Sequence, residues 1–208
     1  VLVGDRGMLT AARLREDGAV IFAKTTCPDY GMLSSGLSSF HPLSRNPWDT
    51  TQNPGGSSAG AAAAAAAGYG PLHIGTDIGG SVRLPAGWTG IFGFKPSHGR
   101  IPADPYYVGR CVGPMARTVE DAAFSMATLS RPDWRDGTSL PPNDFNWMDL
   151  DIDMSGMTIG LMLDAGCGLA VDDEIRAAVE TAAKQFEAAG ATILSVQPVL
   201  TRAMLDGL

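Results

Sequence analysis

The sequence has little of what would assign it to several common protein classes. Cysteine occurs three times, as Cys27, Cys111 and Cys167. An odd number with no Cys-x-x-Cys pair excludes a disulfide framework and a zinc knuckle, so free buried thiols in a reducing cytoplasm are expected. Histidine also occurs three times, as His41, His73 and His98, and none stands where a triad base would be recognised. Lys and Arg number 15 against 22 Asp and Glu, a net charge of −7 with no basic cluster. That argues against a nucleic-acid partner, which is held by cations that neutralise phosphates. The longest apolar run, 59–69, is short of the roughly 20 residues that span a bilayer and is built mainly from Ala and Gly, so no membrane partner is expected. No Gly-Lys-Ser/Thr phosphate loop occurs, and Gly68-Tyr69-Gly70 lacks the spacing of a dinucleotide fingerprint. Asp149, Asp151 and Asp153 alternate like the start of a calcium loop, but Met154 stands where glycine is required. No metal and no cofactor are therefore expected.

What is present is an ordinary globular mixture, 45% apolar and 18% charged over 208 residues, enough for one large domain or two small ones. The chain opens at Val1 in mid-pattern and without an initiator methionine, so a natural start further upstream is expected. Apolar spacing predicts a helix over 9–16, a buried strand over 19–23, and an irregular Ser/Pro/Gly/Asn-rich connection from 25 to 54. The alanine run at 58–67 has the highest helix propensity in the chain, with Ser57 or Ser58 supplying the N-cap hydroxyl. Short strands are expected at 71–76 and 91–95. Thr118-Val119-Glu120-Asp121 opens a helix that runs to Ser130, followed by a surface excursion over 132–153. A strand over 158–163, a helix over 172–189 with Gly190 past its end, and a strand over 191–196 form a strand-helix-strand unit. The fold class is α/β throughout.

The chemistry concentrates in two serine clusters, Gly55-Gly56-Ser57-Ser58-Ala59-Gly60 and Gly75-Thr76-Asp77-Ile78-Gly79-Gly80-Ser81-Val82-Arg83. Each sets a hydroxyl beside bare backbone. Ser81 ends a Gly-Gly turn, where a carbonyl can approach the N–H groups of Ile78, Gly79, Gly80 and Ser81 together. Hydrolysing an amide needs that combination of nucleophile and oxyanion donors, because the C–N bond is stabilised by resonance and the leaving amine must be protonated. The competing reading of an isolated Gly-Gly-Ser is a helix N-cap after a tight turn. Asp77 and Arg83 flank the serine with opposite charges at a spacing that allows a pair across the turn, and Thr76 can hydrogen-bond within it. The motif is not Gly-x-Ser-x-Gly, since Arg83 stands where the last glycine belongs, which disfavours an α/β-hydrolase elbow.

At these residues the chain resembles the amidase signature family of serine amidases. The resemblance extends to Asn46-Pro47-Trp48-Asp49, Gly93-Phe94-Lys95-Pro96, Gly99-Arg100-Ile101-Pro102 and the run from Gly113 to Ala122. It implies one α/β domain on a large mixed, mostly parallel sheet flanked by helices. Residues 1–208 are then the central part of that domain, without its N-terminal segment and C-terminal portion. It also implies that Ser81 is the nucleophile and that Ile78, Gly79 and Gly80 belong to the oxyanion hole. Ser57, held by a cis peptide bond, then relays a proton to a lysine that lies upstream, outside this chain. A molecule starting at Val1 would lack that base and be nearly inactive. Ser58, Thr76, Asp77 and Arg83 are read as supporting residues, and Lys24 and Lys95 as structural. Tyr30, Met32, Tyr106 and Tyr107 are candidates to line the pocket. The implied reaction is cofactor-free hydrolysis of a small-molecule amide, and a homodimer stays open. The alternatives are an amidotransferase subunit supplying ammonia for tRNA-linked amidation, an inactive scaffold of the same fold, or a Gly-rich phosphate binder.

Overall fold

The computed structural model describes residues 8–207, and its contacts divide into two compact units, 1–150 and 151–208. The first unit opens with α1 (Leu9–Glu16), which ends at Asp17 and Gly18, where φ is +90°. A single-turn 3₁₀ helix follows at Asp29–Gly31. Next come α2 (Ala59–Ala66), β1 (His73–Asp77), α3 (Arg83–Thr89), β2 (Phe92–Gly93), β3 (Cys111–Ala116) and α4 (Val119–Leu129). The strands form one antiparallel sheet in the order β1-β3-β2. Register runs from His73 opposite Met115 to Asp77 opposite Cys111, with Phe92 opposite Ala116.

The central strand, β3, is buried along its whole length. Its side chains alternate between two cores, as strand geometry requires. Val112 joins Ile101, Ala103, Met126 and Leu129 on one face, while Met115 joins Ala61, Ala62, Val82 and Ala86 on the other. The alanine helix and the Ser81 turn thus share a core. Helix α1 is tied to the end of α4 by the buried Arg13. Its guanidinium donates to the carbonyls of Leu129, Arg131 and Pro132 and to Asp133 Oδ2, the last at 3.0 Å.

Most expected elements are present, and the differences have physical causes. β3 is not expected from the sequence as a strand, because Gly113-Pro114 reads as a break. Proline lacks an N–H, but the Pro114 carbonyl still accepts from Phe94 N–H at 3.0 Å. A Cβ on Gly113 would collide with the Phe94 carbonyl oxygen, so glycine permits the close approach. The expected strand at 19–23 is extended but unpaired among the described residues, with Val20 85% and Phe22 69% exposed. A run of strand-formers becomes a strand only when a ladder partner is present. Cys27 is exposed rather than buried, whereas Cys111 and Cys167 are buried, and all three are free.

The second unit contains β4 (Thr158–Leu161), α5 (Asp173–Ala188), β5 (Thr192–Ser195) and α6 (Arg202–Asp206). β4 and β5 pair in parallel, Thr158 opposite Thr192 through Leu161 opposite Ser195. Gly190, at φ +101°, ends the connecting helix as its position in the sequence implies. The short α6, capped by the Thr201 hydroxyl, carries no comparable signal in the sequence. Pairing is therefore antiparallel in one unit and parallel in the other. Among the described residues no helix is long and apolar enough to cross a membrane.

Candidate active site

The second serine cluster is organised by one carboxylate. Asp77, the last residue of β1, is fully buried. Its Oδ1 accepts from Gly80 N–H at 2.8 Å, and its Oδ2 accepts from the N–H groups of Val82 and Arg83 at 3.2 and 3.3 Å. The Arg83 guanidinium closes the pair with Nε–Oδ2 at 3.0 Å and Nη2–Oδ1 at 2.9 Å. Burial alone would raise the carboxyl pKa, but the bonds from Arg83 and the three backbone amides outweigh it and hold the group at about 2. The same pairing raises the pKa of Arg83. A loop of glycines is thereby pinned to an ionised side chain from within.

This arrangement alters one expected role. Gly80 adopts φ +120°, which favours glycine, and its N–H is committed to Asp77 rather than free for an oxyanion. The N–H groups of Ile78, Gly79 and Ser81 have no backbone partner outside the strand ladder among the described residues. Helix α3 begins at Arg83 rather than Ser81, because Asp77 binds the amides at 82 and 83 that open the helix.

The first cluster lies against the second. Ser58 N–H donates to the Ser81 carbonyl at 3.1 Å. The Ser58 hydroxyl lies 3.3 Å from Thr76 N and 3.4 Å from Thr76 O, bridging to the backbone of β1. Ser58 thus sits at the N-cap position of α2, but its side chain makes no cap bond. The neighbouring strand offers both a donor and an acceptor, and the hydroxyl takes those instead. The Gly56–Ser57 peptide bond is cis, and Ser57 is buried. Among the described residues no hydrogen-bond partner engages the hydroxyl of Ser57 or Ser81.

Three glycines hold these serines close to their surroundings. A Cβ on Gly75 would lie 2.5 Å from Ser58 Oγ. One on Gly56 would lie 2.5 Å from Ser35 N and 2.8 Å from the Leu33 carbonyl oxygen. One on Gly31 would lie 3.6 Å from Ser57 Oγ. The segment from Tyr30 to Ser35 therefore arches over Ser57. Gly31 is a neighbour of the site that sequence reasoning misses, although Tyr30 and Met32 beside it are candidates. Both are exposed, and Tyr30 has φ +56°.

The remaining candidates lie apart. Tyr106 lies beside Gly137, and Tyr107 sits under the Arg110 guanidinium at 5.4 Å from the ring centre. Lys24 is exposed, while Lys95 Nζ donates to the Pro96 carbonyl at 3.1 Å and lies 3.8 Å from Cys111 Sγ. Two open clefts, of about 310 and 290 Å³, lie within 127–148 and include neither serine. No group of three or more potential metal ligands is assembled among the described residues.

A family model, Amidase, matches residues 9–208. The chain belongs to the amidase signature family. Among its amidase relatives, a glutamyl-tRNA(Gln) amidotransferase subunit of Symbiobacterium thermophilum is 41% identical over 196 residues, covering 87% of this chain and 38% of the relative. A bacterial aryl acylamidase of the amidase signature family superposes with a TM-score of 0.85 at 32% identity, covering 97% of this chain and 42% of that structure. A 6-aminohexanoate cyclic dimer hydrolase gives 0.85 at 29% identity, covering 92% and 42%. The fold is the amidase signature fold, and this chain spans about two fifths of the length of the relatives it matches.

Proposed function

We propose that the protein hydrolyses a carboxylic amide through an acyl-enzyme on Ser81. The observation that carries this reading is the Ser58 N–H to Ser81 carbonyl bond at 3.1 Å. It ties the two serine clusters together and leaves the Ser57 and Ser81 hydroxyls unengaged. Ser81 Oγ attacks the amide carbon and passes its proton to Ser57 Oγ, which passes its own to a lysine located outside this chain. The N–H groups of Ile78, Gly79 and Ser81 receive the oxyanion, with Gly80 and the Asp77–Arg83 pair shaping the turn. When the C–N bond breaks, the relay protonates the leaving nitrogen. Water then attacks the ester, releases the acid and restores Ser81. Thr76 holds Ser58 in place, and no cofactor enters any step. Neither Lys24 nor Lys95 serves as base in this reading, and the protein works in the cytoplasm.

A second reading, an amidotransferase component that delivers ammonia to a partner, is favoured by the 41% identity to a protein of that kind. Both readings use the same serine. Fluorophosphonate labelling of the full-length protein, followed by peptide mass spectrometry, tests it. Label on Ser81 that disappears in Ser81→Ala supports the reading, and label elsewhere or none removes it. Ammonia release by the isolated protein favours the hydrolase, and release only with partner subunits favours the amidotransferase.

A further inference from the structure

We infer that the substrate's acyl group is uncharged and apolar, and that Met32, Leu33 and Ile78 contact it; this rests on Ser81 being the nucleophile. The arch over Ser57 and the turn before Ser81 form the two sides of the approach to the hydroxyls. Gly31 and the Leu33 carbonyl abut Ser57 and Gly56, so Met32 and Leu33 flank the reacting group on one side. Ile78, 58% exposed, flanks it on the other. Met32 is 80% and Tyr30 94% exposed, although nothing polar in their own side chains beyond the tyrosine hydroxyl calls for water.

The charges nearby are already engaged. Across 28–40 and 76–84 the charged residues are Asp29, Asp77 and Arg83. Asp29 accepts from the Ser38 hydroxyl at 2.7 Å and from Ser39 N–H at 3.0 and 3.2 Å. Asp77 and Arg83 hold each other. His41, just beyond the arch, has both ring nitrogens at 2.9 Å from carbonyl oxygens, those of Pro42 and Cys27. An α-ammonium or α-carboxylate on the substrate would lose its hydration here without gaining a counter-ion, which is costly. An alkyl or aryl acyl group would cover Met32, Leu33 and Ile78 at a gain of about fourfold per fully buried methylene.

The test compares ammonia release from acetamide, hexanamide and L-glutamine by the full-length protein, with fluorophosphonate labelling of Ser81 measured in parallel. The expected result is a kcat/KM for hexanamide roughly tenfold or more above acetamide, with glutamine below both. In Met32→Ser/Leu33→Ser the hexanamide-to-acetamide ratio is expected to fall severalfold while acetamide turnover and labelling persist; a merely structural defect would lower both substrates together. Labelled enzyme that prefers glutamine, or a ratio unmoved by the double substitution, overturns the apolar assignment alone. Absence of both labelling and turnover overturns it together with the Ser81 reading.

Discussion

Ser58 commits its backbone N–H to the carbonyl of Ser81 and its hydroxyl to the backbone of Thr76, leaving Ser57 as the unengaged member of its pair. The three serines therefore have separable roles. Ser81→Ala is expected to abolish fluorophosphonate labelling and to reduce kcat by about 10³-fold or more. Ser57→Ala should slow labelling strongly because the proton relay is cut. Ser58→Ala should keep labelling and lose about 1 kcal/mol of stability with its bridge to β1. Equal loss of labelling in Ser57→Ala and Ser58→Ala would defeat this division of labour.

The Asp77 carboxyl makes stability depend on pH in one direction. Its folded pKa lies at about 2, below its ordinary 3.8. The stabilisation is therefore complete above the ordinary value and is lost as pH falls from about 4 towards 2. It amounts to about 2 kcal/mol. Urea midpoints measured from about pH 6 to 2.5 should converge for the parent and Asp77→Asn at the acid end. Parallel curves would show that the carboxylate contributes nothing through its charge.

Gly75 and Gly79 make a matched pair for substitution by alanine. At Gly75 a methyl would lie 2.5 Å from Ser58 Oγ and 2.9 Å from Met115 Sδ, whereas at Gly79 nothing lies within 4 Å. Gly75→Ala is expected to cost about 1–3 kcal/mol and to disturb the serine pair, while Gly79→Ala should stay within about 0.5 kcal/mol of the parent. Thermal or urea denaturation compares them directly. A tolerated Gly75→Ala would mean that Ser58 is free to move away from β1.

Arg13 is buried and satisfies three carbonyls and a carboxylate at once. Arg13→Met keeps much of the volume but strands those acceptors, and should cost about 3 kcal/mol. Asp133 retains its 2.8 Å pair with Arg135, so the loss should come mainly from the carbonyls. A urea midpoint within error of the parent would show that water replaces the guanidinium without penalty.

Helices are the most legible part of this sequence. The spacing around Leu9 and Leu14, the cap at Thr118 and the alanine run all carry their signal within one or two turns of chain. β3 is hidden because its evidence is non-local. Gly113 and Pro114 read as a break until the Phe94 backbone is seen to need the space at one and the carbonyl of the other. Residues 19–23 fail in the opposite way, with strand-forming side chains and no ladder. At the site, Ser57, Ser81, Asp77 and Arg83 are recognisable from their glycine-framed motifs. Commitment of the Gly80 amide to Asp77 is not, since a motif names residues without assigning their donors. Gly31 lies in an irregular connection with no periodic signal, and its closeness to Ser57 Oγ becomes visible only when the arch is folded.

Helix α2 buries Ala59, Gly60, Ala61, Ala62 and Ala65, and the Gly60 N–H reaches the Thr26 carbonyl at 2.9 Å. A surface made of methyl groups and a bare Cα has almost nothing to trim, so mutation there is lopsided: removal does little and every enlargement is punished by overpacking. Libraries aimed at altering this protein should leave those positions untouched and place their diversity on the arch, where side chains face solvent and the backbone alone meets the serine.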